Sequence, residues 1–379
     1  MNRIVLPGLA MIAVTYGLAR FGYGLMLPEI SSTLDMSPTI SGVIGSSSYF
    51  AYCLAITLAT LSIPKLGPRP SIMAAGISAF AGMLLMATST NDIMLAAGVL
   101  VAGASTGFGS PAYGEVVTKT IQKPLQDKAN TWINAGTGFG VLISGPIMLF
   151  LSGDWRLVYI LFTFIALAVL IWNFINIPRI QRQEGFKQNT FDIKKTDMKR
   201  SIFLVIASLV MGVATAIYWT FSKDYITNEG NFSQLTTSIF WIMIGVSGIA
   251  GGVAGNLIEK LGIVKAYRLT IMIAFLSIVI LPIFNSQIVL IYLSALFFGS
   301  SYVFFTGVLL VWGVKLYPRR SSLGIGLPFL TLALGQIIGS AIAGVLIQSI
   351  DYKMAFIVFG FIGLSAVFIK PLKSRVNSR

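Results

Sequence analysis

The sequence predicts an all-α polytopic membrane protein with twelve transmembrane helices in two pseudo-symmetric halves of six. Three observations lead there. Of 379 residues, 55% are hydrophobic and 11% charged, with a mean hydropathy of +0.83; soluble domains carry roughly 25% charged residues. The apolar residues fall into twelve runs near the length needed to cross hydrocarbon, roughly 17–25 residues. Sequence features also recur at a separation close to half the chain. Helices follow from the solvent, because lipid leaves no partner for an unpaired backbone group.

The expected spans are 4–28, 39–63, 71–88, 93–118, 131–151 and 157–177, then 201–222, 234–258, 269–284, 287–314, 322–349 and 353–369. An even number places both termini on one side. With the termini inside, 23 of the 27 Lys and Arg fall on inner segments and three (Arg156, Lys223 and Lys353) on outer loops. That asymmetry predicts cytoplasmic termini in a cell membrane. The net charge of +14 is then mostly loop charge facing anionic lipid, and nucleic acid is not an expected partner. Histidine is absent and Cys53 is the one cysteine, so no metal site or disulfide framework is expected. The partners expected are a small molecule and membrane lipid, and the chain is expected to be a monomer.

The basic stretch 179–200 reads as a linker between an N-terminal half, 1–178, and a C-terminal half, 201–379, which ends in a short tail. Repeats support that division. Asp154-Trp-Arg matches Asp351-Tyr-Lys, 197 residues on. Lys65-Leu-Gly67 matches Lys260-Leu-Gly262, 195 on. Gly103 and Lys119 match Gly299 and Lys315, 196 on. Parallel repeats of this kind imply two halves rocking about a midplane site.

The first span carries Arg20, whose guanidinium cannot shed its charge. Tyr16, Arg20 and Tyr23 lie at i, i+4 and i+7, one face of an α-helix, and an intramembrane charge should turn inward. A planar guanidinium binds oxyanions at two points, so Arg20 points to an anionic or zwitterionic substrate. Facing it we place Tyr49, Tyr52, Asn134, Tyr218, Trp241, Tyr302 and Gln336, with Thr306; Trp219 reads as an interfacial belt residue. Glu115 is the one carboxylate inside a span. It is a candidate proton site, or else a partner of Lys119 one turn on. No motif resembles a nucleotide loop, an acid pair or a metal cluster, so neither an enzyme nor a cofactor is expected.

Over its whole length the chain resembles the major facilitator superfamily. The Asp-Trp-Arg element at 154–156 is similar to that family's extracellular signature. Gly255, Glu259, Gly262, Lys265 and Arg268 resemble its loop motif, which implies a gate latch; the first-half copy is eroded, with Pro64 where the acid would stand. The Gly-Leu-Ala-Arg-Phe-Gly-Tyr run at 17–23 resembles a bacterial branch, the YbfB/YjiJ-like transporters. Departures are Gly103, where many proton-coupled relatives carry arginine, and the lack of an acid in span one. Gly145 and Pro146 are similar to the exporters' glycine–proline motif and imply a kinked gating helix. The resemblance implies a secondary transporter working by alternating access; with Arg20, the leading expectation is proton-coupled export of a small anionic or zwitterionic organic compound, a metallophore-type metabolite being one specific candidate. Multidrug efflux, organic-acid import and a non-transporting sensor or scaffold are the alternatives.

Overall fold

The computed structural model describes residues 2–180, 195–251, 258, 260–284, 286–317, 321–369 and 371. The first span is three pieces in one rod: α1 (Asn2–Ile12), a π-helical segment (Ala13–Arg20) and α2 (Gly22–Leu34). Then come α3 (Pro38–Leu66), α4 (Pro68–Ala87), α5 (Asp92–Thr120), α6 (Lys123–Phe150) and α7 (Trp155–Asn176). The second set is α8 (Lys195–Asn228), α9 (Gln234–Gly251), α10 (Ile263–Ile283), α11 (Ile288–Leu316), α12 (Ser321–Ser349) and α13 (Tyr352–Ser365). No strand occurs among the described residues. Among the described residues ten helices are long and apolar enough to cross a membrane, and two shorter apolar helices, Gln234–Ile249 and Tyr352–Phe368, lie at the expected eighth and twelfth spans.

One end of the bundle is acidic and the other basic. At the acidic end helix starts are capped by short polar side chains. Asn91 accepts from the Met94 amide (2.8 Å), Asp154 from those of Arg156 and Leu157 (3.0 and 3.1 Å) and Asp351 from that of Met354 (2.7 Å). These satisfy amides that the helix leaves free, and a carboxylate suits the positive end of the helix dipole. At the basic end Gly67 and Gly262 take φ of +79° and +74° before α4 and α10, a conformation costly for residues with a Cβ.

The repeats recur as contacts. A Cβ at Gly103 would overlap the Ser48 backbone, and one at Gly299 the Ile244 backbone, with both partners 196 residues apart. Gly17 meets Gly140 as Gly212 meets Gly335, at a common offset of 195. The Trp155 indole donates to Thr33 at the end of the first span (3.1 Å), while the Tyr352 hydroxyl bonds Asp224 at the end of α8. Small residues at these crossings let backbones approach closely, and dispersion then takes over where lipid supplies no hydrophobic drive.

The two sets meet along α2–α8, α3–α12 and α6–α9. Toward the acidic end they touch tightly: a Cβ at Gly24 would overlap the Trp219 carbonyl, and Gly42 and Gly344 sit against the backbones of Ser340 and Pro38. Further down, Tyr52 and Cys53 still pack on Leu330 and Ala333. One turn nearer the basic end the sets part. Gly326 follows Leu330 on its face, Gly114 follows Ser110, and neither would bring a Cβ within 4 Å of another group; Thr57, one turn past Cys53, is exposed. Among the described residues, contacts between the sets are therefore dense toward the acidic end and sparse toward the basic end.

Several expected boundaries move: the first span runs to Leu34, α6 begins at Lys123, and α8 begins at Lys195, within the expected linker, and runs to Asn228, placing Lys223 and Asp224 inside a helix and not in a loop. Much of the expected linker, 181–194, lies outside the described residues, as do Gly255 and Glu259.

Gly140→Ala should lower the thermal unfolding temperature of the detergent-solubilised protein by several degrees, as overpacking costs about 1–3 kcal/mol. Gly114→Ala should leave it unchanged or raise it. Size-exclusion profiles after heating read both.

Candidate functional site

The site is built on the π segment. The Phe21 amide donates to the Tyr16 carbonyl (2.9 Å), an i to i−5 bond in place of i−4. The wider turn adds one residue to the inward face, so both Arg20 and Phe21 reach the centre. Such insertions concentrate at functional sites.

Arg20 is 7% exposed. Its Nη2 donates to Gln336 Oε1 on α12 (3.2 Å), and Gln336 Nε2 donates to the Tyr302 hydroxyl on α11 (3.2 Å). The guanidinium carbon lies 4.6 Å from the Tyr49 ring centroid, 4.7 Å from Tyr52, 5.6 Å from Phe21 and 5.7 Å from Tyr16. Four ring faces offset part of the desolvation cost of the cation. Arg20 Nε is buried with no hydrogen-bond partner.

A small pocket with room for about one water molecule lies against Arg20, Phe21, Tyr23, Gly24, Gly45, Ser48, Tyr49, Trp219 and Thr220, so a larger ligand enters only when its walls part. Its acidic-end wall is an aromatic stack: Phe21 lies on Trp219 at 3.9 Å between centroids, with planes 16° apart. Trp219 is braced edge-on by Trp241 (6.1 Å), Phe298 (5.2 Å) and Tyr302 (5.2 Å).

Beyond that stack sits a charged cluster. Lys223 Nζ on α8 pairs with Glu29 Oε1 on α2 at 2.7 Å, and the lysine side chain is fully buried. Glu29 Oε2 is buried without a partner. Next to Lys223, Asp224 accepts from Asn228 Nδ2 (2.9 Å) and from the Tyr352 hydroxyl. A buried ion pair across two helix sets favours the arrangement that joins them, since separating it strands two charges.

Of the residues expected to face Arg20, the structure brings Tyr16, Tyr23, Tyr49, Tyr52, Tyr302 and Gln336 to it or to its pocket, and Trp241 behind Trp219. Tyr16 also bonds Ser110 (2.8 Å), and Tyr23 donates to the Ser41 carbonyl (2.9 Å). Tyr218 does not face the pocket: its hydroxyl bonds Ser294 (2.7 Å) and its ring stacks on Phe298 (3.8 Å) within the second set. Asn134 is exposed and lines no part of the pocket, and the Thr306 hydroxyl turns back to the Val303 carbonyl. Trp219 is 5% exposed, so it is a wall of the pocket and not a belt residue, because the Phe21 stack and its edge contacts draw it inward.

Glu115 pairs with Lys119 (2.9 Å), both partly exposed at the basic end. Gly145 packs on Ile242 across the α6–α9 contact, while Pro146 is exposed and α6 continues to Phe150. Gly262 caps α10 and Arg268 is exposed on it. Sequence reasoning missed Phe21, Glu29, Lys223, Asp224 and Tyr352. One signal was available: apolar Tyr225 and Ile226 follow Lys223-Asp224, and Asp224 and Asn228 are i, i+4, which extends the helix past the charges.

Solved structures of similar fold include the nucleoside transporter NupG (14% identity, TM-score 0.79, covering 96% of this chain and 98% of that one). They include a POT family transporter in complex with 5-aminolevulinic acid (13%, 0.79, 96% and 95%) and a D-xylose-proton symporter (12%, 0.76, 97% and 96%). At such identities the likeness is one of fold. A family model described as Major Facilitator Superfamily matches residues 9–327, and this chain of paired helix sets around a buried arginine belongs to that superfamily.

Proposed function

We propose that this protein is a secondary active transporter that moves a small anionic organic compound across the cell membrane by alternating access, with its basic end and termini in the cytoplasm. The observation that carries the reading is Arg20. Among the described residues, it is the one cation lining the pocket between the two helix sets, it is buried, and its Nε has no partner. A buried donor of that kind is matched by an oxyanion acceptor and not by a cationic drug. The solved structures named above, by their own descriptions a nucleoside transporter, a POT family transporter in complex with 5-aminolevulinic acid and a D-xylose-proton symporter, support small-molecule transport in general. The glycine–proline step in α6, the residue-level reason to expect export, is a packing contact: Gly145 sits against Ile242 across the sets and Pro146 is exposed. The pocket's positive charge weighs against a pump for cationic drugs.

Arg20→Lys keeps the charge and loses the planar fork. It should cut transport in proteoliposomes at least tenfold, while Arg20→Gln should abolish it. Wild-type uptake that persists in Arg20→Gln would refute the anion site.

The Glu29–Lys223 pair is the gate at the acidic end in this reading. Lys223 is fully buried and Glu29 is partly exposed, so removing Lys223 lets its partner turn to water and loses the contact that joins the sets. In a Cys53→Ala background, Thr220→Cys should resist a membrane-impermeant maleimide added outside, and adding Lys223→Gln should make it react.

Glu29→Gln should open the acidic end in the same way: it removes the charge that holds Lys223, and Thr220→Cys should then react with the external maleimide.

A further inference from the structure

We infer that the pocket recognises a planar, ring-bearing monocarboxylate, its carboxylate on Arg20 Nε and its ring entering between Phe21 and Trp219. This rests on the reading of Arg20 as the anion site and adds the charge and shape of the cargo.

Charge comes first. Arg20 alone is charged among the residues lining the pocket, and its compensation is a cage of rings and one amide oxygen, with no carboxylate in contact. One bound negative charge neutralises one buried cation. A dianion would leave an uncompensated charge in a water-poor site, which is costly.

Shape follows from the stack. Phe21 belongs to the first set and Trp219 to the second, so their face-to-face contact is one the two sets must break when the acidic end opens. Phe21 stands at the end of the π segment beside Arg20, with its ring 5.6 Å from the guanidinium. Trp219 is held from the other side by three aromatic edges and stays in place. Parting the pair exposes two parallel ring faces next to an unpartnered guanidinium donor. A flat ring restores both face contacts at the offset-stacked spacing aromatic pairs prefer; a puckered ring of the same carbon count does not lie flat between them. An aliphatic acid such as acetate reaches Arg20 but leaves the faces unfilled.

The test uses the full chain, purified in detergent, with benzoate, cyclohexanecarboxylate, acetate, phthalate and benzamide as probes. Binding is read by thermal shift and by quenching of tryptophan fluorescence. Benzoate should bind at least tenfold more tightly than cyclohexanecarboxylate and than phthalate, and benzamide should not bind. Trp219→Phe should keep the benzoate preference but lose most of the quench. Trp219→Leu should erase the preference for benzoate over cyclohexanecarboxylate while Arg20-dependent carboxylate binding remains. Equal binding of all the monocarboxylates, or tighter binding of phthalate, would overturn the inference and leave the anion reading intact. Binding of benzamide with no carboxylate bound, or of none of the five probes, would overturn the inference; the former would overturn the anion reading as well.

Discussion

A guanidinium keeps its proton wherever the fold puts it, and here the fold puts it between two sets of helices in an apolar bundle. Much of the centre answers to that constraint. Tyr49 and Tyr52 come from α3, Tyr16 and Phe21 from the first span, and Gln336 from α12, which itself is held by Tyr302 of α11. Four elements thus converge on one cation. The hydrogen bond to Gln336 crosses between the sets, so the residue that defines the pocket also registers how far apart they stand. A side chain with a removable charge could escape such a position by deprotonating, and arginine cannot.

Helix packing around this centre is governed by size. With lipid outside as apolar as leucine, association relies on close backbone approach and on hydrogen bonds. The pairs Gly17–Gly140 and Gly212–Gly335, and the contacts Gly103–Ser48 and Gly299–Ile244, are the same two solutions used once in each set. The acidic-end brace is repeated too, but with different chemistry. Trp155 bonds Thr33 in the first set, and Tyr352 bonds Asp224 in the second. The repeat has kept the geometry and placed a charged residue in one copy alone, next to the lysine that reaches across to Glu29.

That placement gives the molecule two unlike ends. At the acidic end an aromatic stack and an ion pair lie in series and join the sets; toward the basic end, among the described residues, neither Gly114 nor Gly326 has a group within reach of a Cβ. Interactions present in one arrangement and absent from the other are what set the balance between two states. The stacking and charged contacts that join the sets at this end are few and specific, and they stand beside extensive helix packing along α3–α12 and α6–α9.

By itself the sequence determined the class of protein, its internal repeat and the presence of a buried arginine with aromatic company. Each of these is written in composition or in spacing along one helix, which needs no knowledge of neighbours. The tertiary structure decided which aromatics meet Arg20. Tyr49, Tyr52 and Tyr302 do and Tyr218 does not, because residues on separate helices take their facing from how the helices cross. It decided that Trp219 turns inward onto Phe21, a contact between residues 198 positions apart. It converted a regular turn into a π turn at the arginine, where Gly17 presses on Gly140. It also drew Lys223 and Asp224 from an apparent loop into a buried cluster, because a charge is stable there only when Glu29, Asn228 and Tyr352 arrive to meet it. Hydropathy counts a charge as exposed until a partner is known, and the partner is a property of the folded chain.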